Sequence, residues 1–258
     1  MLTRRAVITP ILVATLPAFA QGGRRTPRIG MLWHAANEEE ERYPLGQFRQ
    51  GLKDLGYIEG QNILIELRFP AEKPELFERY AAELADSKVD ILFAVTRPAA
   101  VAAQKATQSI PVVFMAVPDP VGSKLVETLS RPGANVTGIS NMALELTPKR
   151  VELLKEVAGL DRVALLVNAN DPEGARRYVE HSETAVRHLG IIVEPVEIYS
   201  GEDIDRAFEN MEKNGIQGVV LTQDGLIYAE QPRIFRAAMA RKLPVIGYSR
   251  EMASNGAL

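Results

Sequence analysis

The segments KDLGYIEGQNILIEL (residues 53–67) and RHLGIIVEPVEIY (residues 187–199) follow the same plan. Each begins as the end of an amphipathic helix, stops at a Leu-Gly pair and continues as an apolar strand. The two stop glycines, Gly56 and Gly190, lie 134 residues apart. This parallel predicts that one α/β unit occurs twice in the chain.

Further landmarks recur at nearly the same distance. The first strands of the two units, RIGMLW and RVALLV, begin at Arg28 and Arg162, which are also 134 residues apart. The prolines that open the fourth strands, Pro111 and Pro244, are 133 residues apart. Any chain of alternating strands and helices can show similar spacing, and that alternative stays open at this point.

The alternation of strands and helices predicts an α/β fold with parallel sheets, because parallel strands are joined by helical crossovers. Two units predict two similar doubly wound lobes, an N-terminal lobe at residues 27–141 and a C-terminal lobe at residues 142–258. Ligands of open α/β sheets bind beyond the carboxyl ends of the strands. Two lobes that face each other are therefore expected to form a hinged clamp with one ligand cleft.

Residues 1–20, MLTRRAVITPILVATLPAFA, have the three parts of a secretory signal. Arg4 and Arg5 precede a short apolar run, and a triplet of the A-x-A type ends at Ala20. We predict cleavage near Ala20 and a periplasmic location. Prolines in the run argue against a buried helix, whereas the choice between the general and the twin-arginine export route stays open.

The composition disfavours several classes of partner. The chain has no cysteine, so disulfides and thiolate-held metals are not available. Its net charge of −3 disfavours a nucleic-acid partner, and a repressor-like regulator would need a helix-turn-helix where the signal lies. We expect the protein not to span the membrane after signal cleavage, since no later apolar run has the required length.

The chain stops at SREMASNGAL (residues 249–258), directly after the fourth strand of the second unit. We therefore predict that the C-terminal lobe is truncated, lacking an outer helix and a return crossing, and that the chain as given binds ligand poorly. Such a lobe would leave part of its sheet uncovered, although parallel strands require burial on both faces. The residues expected to be exposed in this way are Val219, Leu221, Val245 and Ile246.

Several stretches of the sequence resemble the ABC-transporter substrate-binding proteins of the tryptophan/tyrosine-uptake type. GYIEGQNI (residues 56–63), DPVGSKLV (119–126) and PGANVTG (132–138) carry this resemblance most specifically. It implies the two-lobed type I periplasmic-binding fold, a small-molecule ligand, and an ABC permease of the inner membrane as partner. One stretch departs from the family pattern: T-R-P at residues 96–98 stands where a small Gly/Thr-type turn is usual, which bears on the accepted ligand.

The loops that follow the strands supply the candidate ligand-binding residues. Thr96 precedes a helix opened by Pro98, so its hydroxyl and the free N–H groups of the helix are suited to a carboxylate, or Thr96 is an ordinary N-cap. Arg97 would add a bidentate grip on the same carboxylate, or is simply an exposed loop arginine. Asp224 ends a strand, ahead of a helix expected to begin later, and is the candidate for an ammonium group.

Five further residues are weaker candidates. Trp33 follows the first strand and would stack on an aromatic or apolar ligand, or belongs to the core. Asp119 binds ligand or, more simply, caps a helix beginning near residue 120. Asn141 would hydrogen-bond the ligand across the hinge, and Asn170 and Tyr248 lie in loops of the second lobe.

The sequence carries no pattern for catalysis, a metal or a cofactor. The three histidines do not cluster, and the acidic run at residues 38–41 is most simply a solvated helix entry. Nucleophile-elbow, phosphate-loop and dinucleotide motifs are absent from the sequence. We predict an exported receptor that binds a small carboxylate, with an amino acid as the leading candidate; the preference for an aromatic one comes from the resemblance. The alternatives are a ligand-sensing module for a membrane receptor and an exported α/β enzyme.

Overall fold

The computed structural model describes residues 25–258 and contains two parallel β-sheets flanked by helices. The predicted signal peptide, residues 1–20, lies outside the described residues. The two-lobed α/β fold expected from the sequence is confirmed.

The first lobe is built on a five-stranded sheet with the strand order β2-β1-β3-β4-β5. All of its strand pairs are parallel. The elements are β1 (Arg28–Leu32), α1 (Arg42–Asp54), β2 (Leu64–Arg68), α2 (Pro74–Asp86), β3 (Ile91–Val95), α3 (Arg97–Ala106), β4 (Val112–Val117) and β5 (Val136–Ser140).

The second lobe repeats this winding in a four-stranded parallel sheet with the order β7-β6-β8-β9. The order matches that of the first four strands of the first lobe, so the repeat inferred from the sequence is present in the topology. The elements are α4 (Ala143–Ala158), β6 (Arg162–Asn168), α5 (Pro172–Val186), β7 (Ile192–Ile198), α6 (Ile204–Lys213), β8 (Gly218–Leu221), α7 (Gly225–Ala229), α8 (Gln231–Ala240), β9 (Val245–Ile246) and α9 (Arg250–Ser254).

The two stop glycines act as the sequence indicates. Gly56 has a φ of +87° and Gly190 a φ of +68°, a left-handed conformation that side chains with a Cβ adopt only with strain. In the second lobe a short 3₁₀ turn, Arg187–Leu189, separates the end of α5 from Gly190.

The expectation of an uncovered second sheet is wrong. Val219, Leu221, Val245 and Ile246 are 0, 0, 4 and 7% exposed. The first three belong to a core cluster with residues of α6, α8 and α9, whereas Ile246 packs in the cluster on the opposite face with residues of α4 and α5. Helices of the described segment therefore cover both faces of the sheet.

No helix within residues 25–258 combines the length and the apolar character that crossing a membrane requires.

Candidate functional site

A cavity of about 320 Å³ lies between the two lobes. Its wall includes residues at or just after the carboxyl ends of three strands in each lobe, which is where open α/β sheets bind ligands. These are His34, Thr96 and Asp119 of the first lobe and Asn168, Asp224 and Tyr248 of the second. The volume is in the range of small-molecule sites.

The structure brings six of the nine sequence-predicted site residues to this cavity. They are Thr96, Arg97, Pro98, Asp119, Asp224 and Tyr248. The other three, Trp33, Asn141 and Asn170, do not line it.

Trp33 is a core residue and is not placed to stack on a ligand in this cavity. Its side chain is 1% exposed and belongs to a core cluster with Met31, Leu45 and Val95. Its ring meets that of His34 edge-on, with 6.5 Å between the centroids. The pattern of side chains along β1 does not by itself determine whether the next residue, Trp33, is buried in the core.

The two asparagines serve local backbone structure. The Asn170 amide donates a hydrogen bond to the Tyr199 carbonyl at 2.8 Å. The Asn141 side-chain oxygen accepts a hydrogen bond from the backbone N–H of Ala143 at 3.3 Å, at the start of α4. Both contacts stabilise turns outside the cavity.

Arg97 forms a bridge between the lobes. Its Nε and Nη2 atoms donate hydrogen bonds to the two carboxylate oxygens of Asp171, at 3.0 and 2.6 Å. The two side chains are 15 and 10% exposed. The guanidinium is therefore neutralised by the protein itself. This partner could not be recognised from the sequence, because the position of Asp171 indicates the N-cap of α5, which it also is.

In a second bridge, the second lobe supplies the arginine and the first lobe the aspartate. Arg177 of α5 donates a hydrogen bond from Nη1 to Asp119 Oδ2 at 2.7 Å, and another to the carbonyl of Gly122. Asp119 also accepts a hydrogen bond from the backbone N–H of Gly122 at 2.8 Å. The helix expected near residue 120 is replaced by a series of turns, so Asp119 caps a turn and holds Arg177.

A third contact between the lobes centres on His34, which sequence reasoning did not select. His34 Nδ1 lies 3.0 Å from Glu72 Oε1, and His34 Nε2 lies 3.1 Å from Glu41 Oε1. Asn168 of the second lobe donates a hydrogen bond to Glu72 Oε2 at 3.1 Å. The expectation that residues 38–41 form a solvated helix entry is therefore wrong for Glu41, which is 2% exposed.

Asp224 lies at the cavity wall and begins a helix. Its carboxylate accepts hydrogen bonds from the backbone N–H groups of Leu226 and Ile227, at 2.9 and 3.4 Å. The expectation that the next helix begins later is therefore wrong, since α7 begins directly after Asp224. Loss of water and the nearby carboxylates of Glu72 and Asp171 raise the pKa of Asp224 to about 7. A cation placed beside this carboxyl group would stabilise its ionised form.

Three tyrosines, Tyr178, Tyr228 and Tyr248, give the cavity an aromatic wall. The Tyr178 hydroxyl donates a hydrogen bond to the Gln223 carbonyl at 3.1 Å. The Arg150 guanidinium lies 5.8 Å from the centroid of the Tyr248 ring, within the range of a cation–π contact. Burial raises the pKa of Tyr178 and of Tyr248, so both are neutral at physiological pH.

Two hydroxyl groups at the cavity have no internal partner. Within residues 25–258, Thr96 Oγ1 and Ser123 Oγ are buried and form no hydrogen bond. Thr96 has a φ of +81°, and its side chain does not cap α3, so the reading of Thr96 as an ordinary N-cap is wrong. Buried hydroxyls are almost always hydrogen-bonded in proteins, which makes these two candidates for a contact with a ligand.

The described residues contain no group of three or more His, Asp or Glu side chains that could hold a metal ion. The His34 imidazole and its neighbouring carboxylates instead form ion pairs with one another.

Comparison with known proteins gives the family. A model of the family described as ABC transporter substrate binding protein matches residues 42–258. A tyrosine-binding protein of Clostridioides difficile is 27% identical over 212 residues, which is 82% of this chain and 60% of the relative. The chain thus spans about 60% of the length of this curated relative.

Solved structures give the same fold. A conserved domain protein of Vibrio cholerae superposes with a TM-score of 0.80 at 26% identity, over 91% of this chain and 78% of that one. The ABC domain of Streptococcus pneumoniae in complex with L-Trp superposes with a TM-score of 0.76 at 23% identity, with the same coverage, and shows the fold alone. The family expected from the sequence is confirmed: the chain belongs to the ABC transporter substrate-binding proteins, which are solute-binding proteins and not enzymes.

Proposed function

We propose that the protein is the exported solute receptor of an ABC importer, which closes its lobes on an amino acid, preferably an aromatic one, and delivers it to a membrane permease. The observation that carries the proposal is a cavity lined by both lobes and bridged by side chains from both. A clamp of this kind encloses its ligand when it closes.

Asp224 is the proposed partner of the ligand ammonium group. It lies at the cavity wall, and Glu72 and Asp171 add negative potential around it. An ammonium group placed there would form a charge-assisted hydrogen bond and would remove the repulsion among these carboxylates.

The proposed carboxylate site is the start of α3. The hydroxyls of Thr96 and Ser123 are unpartnered, and the first N–H groups of a helix have no acceptors within the helix. Arg97 and Arg177 are already paired with Asp171 and Asp119. The ligand carboxylate is therefore held by hydroxyls and the helix end, and the role of Arg97 is to join the lobes.

Tyr178, Tyr228 and Tyr248 support an aromatic side chain on the ligand, because aromatic rings pack favourably edge-on or offset against one another. The names of two similar proteins agree with this ligand class, since one is a tyrosine-binding protein and the other was solved with L-Trp.

A thermal-shift screen of the mature protein tests the ligand class. A ligand present at a hundred times its dissociation constant stabilises the folded state by about 2.7 kcal/mol. We expect aromatic amino acids to raise the melting temperature, and sugars and inorganic cations to leave it unchanged. The ligand proposal is wrong if sugars or cations alone raise it.

Replacing Thr96 with Val tests the carboxylate site. The change keeps the β-branched shape at this left-handed position and removes the hydroxyl. We expect affinity for an amino acid ligand to fall about tenfold or more, since a hydrogen bond to a charged group contributes about 1.5–3 kcal/mol. Isothermal titration calorimetry measures the loss.

The control ligand is the amine that lacks the carboxylate, tryptamine for tryptophan, which should bind both proteins equally. The control variant is Thr137→Val, an exposed threonine of β5 outside the cavity. An equal loss of tryptamine affinity in Thr96→Val would show that the hydroxyl does not bind the carboxylate.

A further inference from the structure

The contact between the lobes at His34 encloses more negative than positive charge. Glu41, Glu72 and Asp224 are three carboxyl groups; His34 contacts Glu41 and Glu72 and acts on Asp224 through its charge. The nearby Asp171 is paired with Arg97 and also acts on Asp224 through its charge. Even with His34 protonated, the group therefore carries an excess of negative charge when all three carboxyl groups are ionised.

The second lobe touches this group through its backbone. A Cβ atom at Gly225 would lie 2.7 Å from Glu72 Oε1 and still closer to His34 Nδ1. Asn168 donates its hydrogen bond to the other oxygen of Glu72. Asp224, the residue before Gly225, therefore lies near His34 and Glu72, whose charges act on its carboxyl group; an open cleft would leave this carboxyl group in water.

We propose that closure of the empty cleft takes up a proton at Asp224, and that the ligand ammonium group later replaces this proton. The first half concerns the protein alone; the second half rests on the proposed function. The proton and the ammonium group each remove the excess charge that closure would otherwise bury.

The direction of the pH dependence follows from the two environments of Asp224. In an open cleft the carboxyl group is hydrated, with an ordinary pKa of about 3.9. In the closed cleft, burial, Glu72 and Asp171 raise its pKa to about 7, against smaller opposing effects of His34 and the Ile227 N–H. The free-energy cost of closing the cleft on an ionised Asp224 is absent at pH values below the open-state pKa. It increases with pH until the closed-state pKa is reached. As the pH falls from about 7 to about 4, the ratio of closed to open empty protein therefore rises about tenfold for each pH unit. Above pH 7 the ratio is constant.

The other groups around Asp224 do not explain such a change. Burial opposes the raised pKa of His34, which is due to Glu72 and Glu41 of its own lobe and to Asp224; the last contribution disappears with the Asp224 charge. Burial also raises the pKa of Glu41, which belongs to the same lobe as its partner His34. Burial keeps Tyr178 and Tyr248 neutral.

The test measures the distance between the lobes in the ligand-free protein. Since the sequence has no cysteine, Lys53→Cys and Lys213→Cys place one label on an exposed site of each lobe. We expect the closed fraction to rise between pH 7.5 and 5.5. Asp224→Asn, which resembles the protonated acid, should remove this dependence, and Gly225→Ala should keep the lobes apart at every pH because its methyl group overlaps His34.

A closed fraction that does not change with pH, or one that keeps its pH dependence in Asp224→Asn, overturns the proposal. The second half is tested by calorimetry with L-tryptophan at pH 6, in two buffers of different ionisation enthalpy. This comparison applies to protein that the distance measurement shows to be closed at pH 6, because an open cleft already holds Asp224 ionised. Proton release on binding then supports the replacement, and binding without release overturns it. A complete absence of binding counts instead against the proposed ligand class, and leaves the distance measurement to decide the first half.

Discussion

Replacing Arg97 with Gln is expected to weaken ligand binding about 100-fold or more while changing the melting temperature of the ligand-free protein little. In the closed cleft the change leaves Asp171, which is 10% exposed, without its cation. Removing one partner of a buried ion pair costs about 3–5 kcal/mol. In the open cleft the same carboxylate is hydrated, so the cost falls on closure and not on folding. Calorimetry and thermal unfolding measure the two effects separately.

A second substitution separates this role from direct binding of the ligand. Asp171→Asn removes the stranded charge and keeps the side-chain oxygen that accepts the hydrogen bond of Gly174 at the start of α5. If Arg97 joins the lobes, the double variant Arg97→Gln with Asp171→Asn should recover most of the lost affinity. If Arg97 holds the ligand carboxylate, as its position in the sequence suggests, the double variant should bind as weakly as the single one.

Replacing Asp224 with Asn is expected to weaken the binding of an amino acid by about 2–4 kcal/mol, or about 30-fold or more. The amide keeps an oxygen for the N–H groups of Leu226 and Ile227, so the cap of α7 is retained. What is lost is the negative charge that faces the ligand ammonium group. Calorimetry with L-tryptophan at pH 8 measures this loss where Asp224 is mostly ionised.

The matched control for this prediction is a ligand without an ammonium group. Indole-3-propionic acid has the ring and the carboxylate of tryptophan and lacks the amine. It should bind Asp224→Asn at least as well as the unmodified protein, because the variant no longer repels an anion. An equal loss of affinity for both ligands would mean that Asp224 supports the fold of the site and does not contact the amine.

Local patterns in the sequence determine most of the architecture. The period of the apolar residues separates strands from helices, and Gly56 and Gly190 end their helical segments because they adopt positive φ. Since parallel strands present their carboxyl ends at one edge of each sheet, the sequence also locates the loops that form the cleft. These rules need neighbouring residues alone, which is why six of the nine predicted residues lie at the cavity.

The partners of those residues were decided by the tertiary structure. Arg97 meets Asp171 across 74 residues of sequence, and Asn168 meets Glu72 across 96. Whether an arginine is free for a ligand or neutralised by the protein depends on distances of a few ångströms, and so on how the two lobes meet. The same is true of Trp33, whose burial depends on the packing of α1 over the sheet. The sequence by itself therefore determined the two lobes and the place of the cleft. The charge balance inside the cleft was decided by how the lobes meet, because burial and Coulomb energy depend on distances in space and not along the chain.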